Sequence, residues 1–114
     1  MCGFFAAKNL PNDRRVPEVL EARLRFRGPD YQSEIVNYGD WIIYHARLAI
    51  LADNSASNQP YIASDGSALL YNGEILNYKY LQYKYFGEII SDSDTATLSA
   101  LISLSNFDLD ELEG

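Results

Sequence analysis

Cys2 follows the initiator methionine directly, so it becomes the first residue once that methionine is removed, as commonly happens before a small side chain. Its thiol would then stand beside its own free amine. An α-amino group has a pKa of about 8, so part of it is unprotonated at neutral pH and can take the thiol proton, directly or through a water. Nucleophile and base would be carried by one residue. The same position also suits a small buried hydrophobe at the start of a strand, which is what most free cysteines are. No glycine-rich phosphate loop and no Cys and His cluster at metal spacing occurs, so neither a nucleotide nor a metal is indicated.

Such a thiol needs elements to position it. Cys2 to Ala7 is a short apolar run, and Asn12 and Asp13 offer caps for a helix whose Val16, Val19, Leu20 and Leu24 line one face. Pro17 is tolerable in its first turn. Arg27 to Asp30 reads as a turn. From Ser33 to Ile50 the pattern is β-like, Ile42, Tyr44, Ala46 and Leu48 alternating with Ile43, His45, Arg47 and Ala49. His45 and Arg47 thus share a face, and the histidine is expected to be structural, satisfying a hydrogen bond in the core. Asp53 to Pro60 reads as a loop, Ala68 to Tyr71 as a buried strand, and Asn72-Gly73 as a turn into a helix carrying Ile75, Tyr78, Leu81 and Tyr85. The tyrosine-rich run from Tyr78 to Phe86 has helical spacing and is expected to be packing surface. A short strand near Ile89 should precede a last helix, capped by Asp92 or Ser93, with Leu98, Leu101 and Ile102 on its apolar stripe. Strands not regularly separated by helices make this an α+β chain and disfavour a doubly wound nucleotide fold.

Composition bounds the partners. The chain has 114 residues, 47% of them apolar, enough for one domain with a modest core. A formal charge of −7 argues against nucleic acid and anionic membranes, which are bound through basic patches. The basic residues between Arg14 and Arg27 are interrupted by Glu18 and Glu21 and read as a solvated helix face. A single cysteine excludes an internal disulfide, no apolar run approaches a membrane span, and the first residues lack the basic start of a secretory signal. A cytoplasmic setting is expected.

Six short motifs follow one another: Met1-Cys2-Gly3, Arg27-Gly28-Pro29-Asp30, His45-Ala46-Arg47-Leu48-Ala49-Ile50, Gln59-Pro60, Tyr71-Asn72-Gly73-Glu74-Ile75 and Ser93-Asp94-Thr95. Each alone is weak. In this order they resemble, along nearly the whole chain, the class II glutamine amidotransferase domain of glutamine-hydrolysing asparagine synthetase. The Arg-Leu-Ala-Ile run and the Asn-Gly-Glu-Ile tract resemble that branch more than the amidotransferases making glucosamine 6-phosphate or phosphoribosylamine. Phe26, Leu76 and Ala96 depart from its usual histidine, tyrosine and acidic residue, as in a divergent branch.

The resemblance implies an N-terminal nucleophile hydrolase fold, a four-layer αββα sandwich of which residues 1–114 would be the first portion, with the synthetase domain outside it. It implies that Cys2 attacks the side-chain amide of glutamine, that Asn72 and the Gly73 N–H form the oxyanion hole, that Arg47 grips the substrate α-carboxylate, and that Asp94, with Glu74, holds the α-ammonium. No cofactor is expected in this chain; ATP and magnesium would enter only through the synthetase domain, the expected partner and consumer of ammonia. Open sheet edges would invite self-association. Taken singly, Arg47 could serve an ordinary ion pair, Asn72-Gly73 a turn, and Asp94 a helix cap. Two other readings stand beside the glutaminase: a truncated or degenerate module that binds glutamine or a partner without turnover, and a cysteine hydrolase of another amide.

Overall fold

A computed structural model describes residues 2–10, 15–50 and 55–114. The expected caps Asn12 and Asp13 lie outside them. The first half is an antiparallel sheet built around β4 (Trp41–Arg47), whose residues from Ile43 to Arg47 are all buried. One edge of β4 pairs with β1 (Gly3–Lys8), Gly3 opposite Ala46 and Lys8 opposite Trp41. Its other edge takes β2 (Tyr31–Gln32) beside Ala46 and Arg47, and β3 (Val36–Tyr38) beside Trp41 to Ile43. The β-like stretch read from Ser33 is therefore broken at Gly39-Asp40, a two-residue hairpin turn in which Gly39 has φ +57°. It also ends at Arg47 rather than Ile50.

Strand alternation sends Tyr44 and Ala46 toward α1 (Val16–Leu24), where Leu20 completes a small core with Phe5, Val16, Leu24 and Ile35 around it. Val19 is 53% exposed, because the row 16–20–24 faces the sheet and position 19 lies to its side. Pro17 sits in the first turn of α1, where no N–H is needed.

The second half packs around Ile75, Leu81, Leu98 and Leu101. It holds a 3₁₀ turn (Ser55–Ser57), a hairpin of β5 (Tyr61–Ile62) and β6 (Ala68–Leu69), α2 (Tyr78–Phe86), α3 (Asp94–Ile102) and a second 3₁₀ turn (Leu109–Glu111). Among the described residues the architecture is α+β, with two sheets and three α-helices. Ile75 precedes α2 instead of riding on it, and the strand expected from Ala68 to Tyr71 is two residues long. Tyr78, Tyr85 and Phe86 pack on the core, whereas Tyr80 and Tyr83 face solvent. On α3, Leu98 and Leu101 are buried but Ile102 is 48% exposed.

No strand forms near Ile89. The fully buried side chain of Gln82 takes the place of a partner strand: its Oε1 accepts from the N–H groups of Ile90 and Ser91, and its Nε2 donates to Ser91 O (2.7 Å) and Thr97 Oγ1 (2.8 Å). One amide thus meets three backbone groups of the α2–α3 connection, whose residues 87–90 are exposed. Ser93 then caps α3, its Oγ accepting from Ala96 N.

His45 departs from expectation. It is completely buried, yet neither ring nitrogen makes a hydrogen bond among the described residues. Burial pulls its pKa down to about 4; the backbone of Tyr71, too poorly placed to form a proper hydrogen bond, works partly against this, and Arg47 adds to it. The folded state therefore favours neutral imidazole. Stability from this group is complete above the unfolded pKa of about 6.5 and is lost as pH falls toward 4, by up to ~3 kcal/mol. His45 is the sole histidine. Replacing it by Gln should flatten the decline in urea-unfolding free energy between about pH 6.5 and pH 5 that the wild type shows.

Gln82→Ala should destabilise the fold by ~2–4 kcal/mol in urea denaturation, since it removes four hydrogen bonds and opens space where a completely buried side chain stood. A loss below ~1 kcal/mol would mean that water replaces the amide at no great cost.

Candidate functional site

The thiol of Cys2 is placed by the turn that follows α1. Gly28 N–H closes the helix on Leu24 O, and Gly28 then lies flat on β4. A Cβ there would fall 2.1 Å from the Ala46 carbonyl carbon and 2.3 Å from Arg47 N, so only glycine fits. On either side of it, Arg27 Nε donates to the Cys2 carbonyl (3.2 Å), Asp30 N–H donates to Arg47 O (3.1 Å), and Asp30 Oδ2 accepts from Ala49 N (2.8 Å). The Arg-Gly-Pro-Asp turn thereby holds both the start of β1 and the end of β4. Cys2 Sγ, half-buried, receives the Leu48 N–H at 3.3 Å and lies 3.6 Å from Leu48 O.

Arg47, at the last position of β4, is 7% exposed and donates from Nη1 to Asn58 Oδ1 at 3.2 Å. Across the site, Asn72 and Gly73 lie in an open segment between β6 and α2, both exposed to solvent. A Cβ at Gly73 would meet the Tyr71 hydroxyl at 2.5 Å, so the aromatic ring presses on the backbone there. The far side of this segment is held by the C-terminal residues: Leu76 N–H donates to Glu113 O (2.7 Å), Asn77 Nδ2 to Glu111 O (2.9 Å), and Glu113 N–H to Asn77 Oδ1 (3.1 Å). Gly114 sits so close to Glu74 O that a Cβ would be 1.8 Å from it.

Asp94 opens α3, where the unpaired N–H groups of a first turn favour an anion. Its Oδ1 accepts from Thr95 N (2.8 Å) and its Oδ2 from Ile75 N (3.2 Å), so one buried carboxylate ties the Asn72–Ile75 segment to the helix. Tyr71, half-buried near Asp94 and Glu74, has its hydroxyl pushed up to about 12, by burial first and then by the two carboxylates. It stays protonated and can only act as a neutral donor or acceptor.

Cys2, Arg47, Asn72, Gly73, Glu74 and Asp94 all line one cavity of about 290 Å³, near the small end of ligand sites. A thiol and a guanidinium stand on one wall, two carboxylates and an amide on the other. That arrangement is complementary to a small zwitterion presented to a nucleophile. The same walls contain Leu48, Ile50, Ser57, Gln59, Tyr71 and Thr95, which sequence reasoning assigned no role. All of these but Ser57 stand inside the motifs, Tyr71 and Thr95 directly beside Asn72 and Asp94, Leu48 and Ile50 shortly after Arg47, and Gln59 only in its own dipeptide. Among the described residues no cluster of His, Cys, Asp and Glu is placed to hold a metal ion.

Known proteins similar to this chain give its family. Residues 1–113 match the model of a family described as the glutamine amidotransferase domain. A probable glutamine-hydrolyzing asparagine synthetase of Acanthamoeba polyphaga mimivirus is 37% identical over 89 residues, which is 75% of this chain and 16% of that protein. Asparagine synthetase [glutamine-hydrolyzing] 1 of Saccharomyces cerevisiae is 38% identical over 103 residues, 87% of this chain and 17% of its own length. The asparagine synthetase [glutamine-hydrolyzing] of Asparagus officinalis is 37% identical over 87 residues, 72% and 14% respectively. The chain therefore spans about one sixth of the length of these relatives. No solved structure matches it. A match over residues 1–113 means that this chain belongs to the glutamine amidotransferase domain family.

Proposed function

We propose that the cavity is a glutamine-hydrolysing site that releases ammonia for an ATP-dependent synthetase of the asparagine synthetase kind. The single observation that carries this reading is the meeting of Cys2, Arg47, Asn72, Gly73, Glu74 and Asp94 in one cavity. With Met1 removed, the Cys2 α-amine takes the thiol proton as Sγ attacks the side-chain amide carbon of glutamine. The oxyanion that forms is held by Asn72 Nδ2 and the Gly73 N–H. The amine returns the proton to the leaving nitrogen, ammonia departs, and a thioester remains. Water then cleaves the thioester, giving glutamate and restoring the thiol. Throughout, Arg47 binds the α-carboxylate with its planar two-pronged donor, and Asp94, helped by Glu74, holds the α-ammonium.

The finer fold reading is the first portion of a four-layer αββα sandwich. Supporting it, Phe4, Tyr38 and Trp41 lie on the face of the sheet turned away from α1 and are 46%, 37% and 43% exposed. Such a face suits further strands of the sandwich or a second copy of the chain. ATP and magnesium belong to the synthetase partner, and the partner's substrate decides which carboxylate is amidated. No helix among the described residues is long and apolar enough to cross a membrane, and the proposed setting is the cytoplasm, where glutamine and ATP meet.

Intact mass before and after 6-diazo-5-oxo-norleucine, a reactive glutamine analogue, tests the reading. The expected result is a chain without Met1 that gains one adduct, located on Cys2 and absent in Cys2→Ala. A folded protein with free Cys2 that never labels would leave only the non-catalytic module. Arg47→Lys should lower kcat/KM for glutamine by about 30-fold or more, since a lysine replaces two directed charge-assisted hydrogen bonds by one mobile charge. An unchanged value would remove Arg47 from substrate binding.

A further inference from the structure

We infer that Gln59 is a positioning residue that sets the oxyanion donors of the glutamine site relative to its ammonium acceptor. The inference rests on the glutaminase reading and adds a residue that does no chemistry itself.

Gln59 is 4% exposed and forms part of the cavity wall. Its Oε1 accepts the Tyr71 N–H at 2.5 Å. That bond fixes which end of the amide is oxygen, because only an oxygen can receive a backbone N–H. The NH₂ end must then face the other way, where it meets Thr95 Oγ1 at 3.5 Å. The first arm is short and the second long, so the hold on Tyr71 is the stronger one.

Both arms end one residue away from the proposed chemistry. Tyr71 immediately precedes the oxyanion pair Asn72 and Gly73, and its hydroxyl presses on Gly73 with no room for a Cβ between them. Thr95 immediately follows Asp94 and gives that carboxylate its N–H at 2.8 Å. One planar amide therefore spans from the donors of the oxyanion to the acceptor of the substrate ammonium. The distance between those two groups determines where the amide carbon of a bound glutamine stands relative to Gly73. An error of about an ångström in such placement weakens transition-state stabilisation more than ground-state binding.

The charge of the wall also favours a neutral amide over a carboxylate here, since Glu74 and Asp94 already line the cavity. Neighbouring groups supply no substitute: the hydroxyls of Ser57 and Ser93 are engaged with each other at 2.8 Å.

Gln59→Ala, which loses both arms, and Gln59→Glu, which preserves shape and the acceptor for Tyr71 N–H, distinguish positioning from packing. In Gln59→Ala, kcat for glutamine should fall roughly 10–100-fold with KM changed less than about threefold, and the rate of labelling by 6-diazo-5-oxo-norleucine should fall in parallel. Alkylation of Cys2 by iodoacetamide, which needs no oxyanion hole, should proceed at the wild-type rate. Gln59→Glu should fall between the two proteins and serves as the test if the alanine variant does not fold. Wild-type kcat in both variants, or a loss of kcat matched by an equal loss of folded protein and of iodoacetamide reactivity, overturns the inference while leaving the glutaminase reading in place. A wild-type protein that never reacts with the glutamine analogue overturns both.

Discussion

The backbone of Ala46 and Arg47 lies closer to Gly28 than any side chain would permit, and the consequences of that contact run through the whole first half of the chain. Because the turn after α1 presses directly on β4, its flanking residues reach in two directions at once: Arg27 to the carbonyl of Cys2, Asp30 to the backbone on both sides of Leu48. The backbones of Cys2 and Arg47 are therefore fixed by this turn, while the thiol is met by the Leu48 N–H and the guanidinium by the Asn58 side chain. This matters for the proposed nucleophile, because ordering costs about 1–2 kcal/mol per residue and little core surrounds Cys2 to offset it. The pairing of β1 with β4 supplies the rest, six residues in antiparallel register with Gly3 opposite Ala46.

The second half solves a different problem. Its apolar core is made by Ile75, Leu81, Leu98 and Leu101, but the segment that carries Asn72 and Gly73 is neither helix nor strand and cannot satisfy its own backbone. Side chains do it instead. Asp94 takes the Ile75 N–H, Gln59 the Tyr71 N–H, and Asn77 exchanges hydrogen bonds with the C-terminal residues. Gln82 performs the same service for the loop that leads into α3. Buried polar networks of this sort stabilise little in net terms but penalise every alternative arrangement, because each broken bond leaves a buried group unpaired.

What could be read in advance follows from this division. In the first half α1 and β4 follow simple periodicity and were legible, whereas β1 showed only as an apolar run and the break at Gly39-Asp40 left no mark in the alternation. The failures occur where a side chain stands in for a backbone partner. The strand expected near Ile89 does not form because Gln82, a residue that looks like an ordinary helix-surface glutamine, is buried and occupies the place of a neighbouring strand. Val19 and Ile102 were assigned to buried faces that are narrower than periodicity suggests. Gln59 was visible only as half of a dipeptide motif, since nothing local records which distant N–H an amide will receive.

The cavity thus depends on two bodies stabilised in different ways, one bearing Cys2 and Arg47, the other Asn72, Gly73, Glu74 and Asp94. Few polar contacts tie them across the site: Arg47 to Asn58, which precedes Gln59, and Gln59 onward to Tyr71 and Thr95. Residues 58 and 59 are therefore the short connection through which the sheet side and the helix side share a common frame. Apolar packing alone would leave such a joint free to slide, since it has no directionality. Hydrogen bonds from consecutive residues, one facing each body, remove that freedom, and they do so next to the groups proposed to bind a single small substrate.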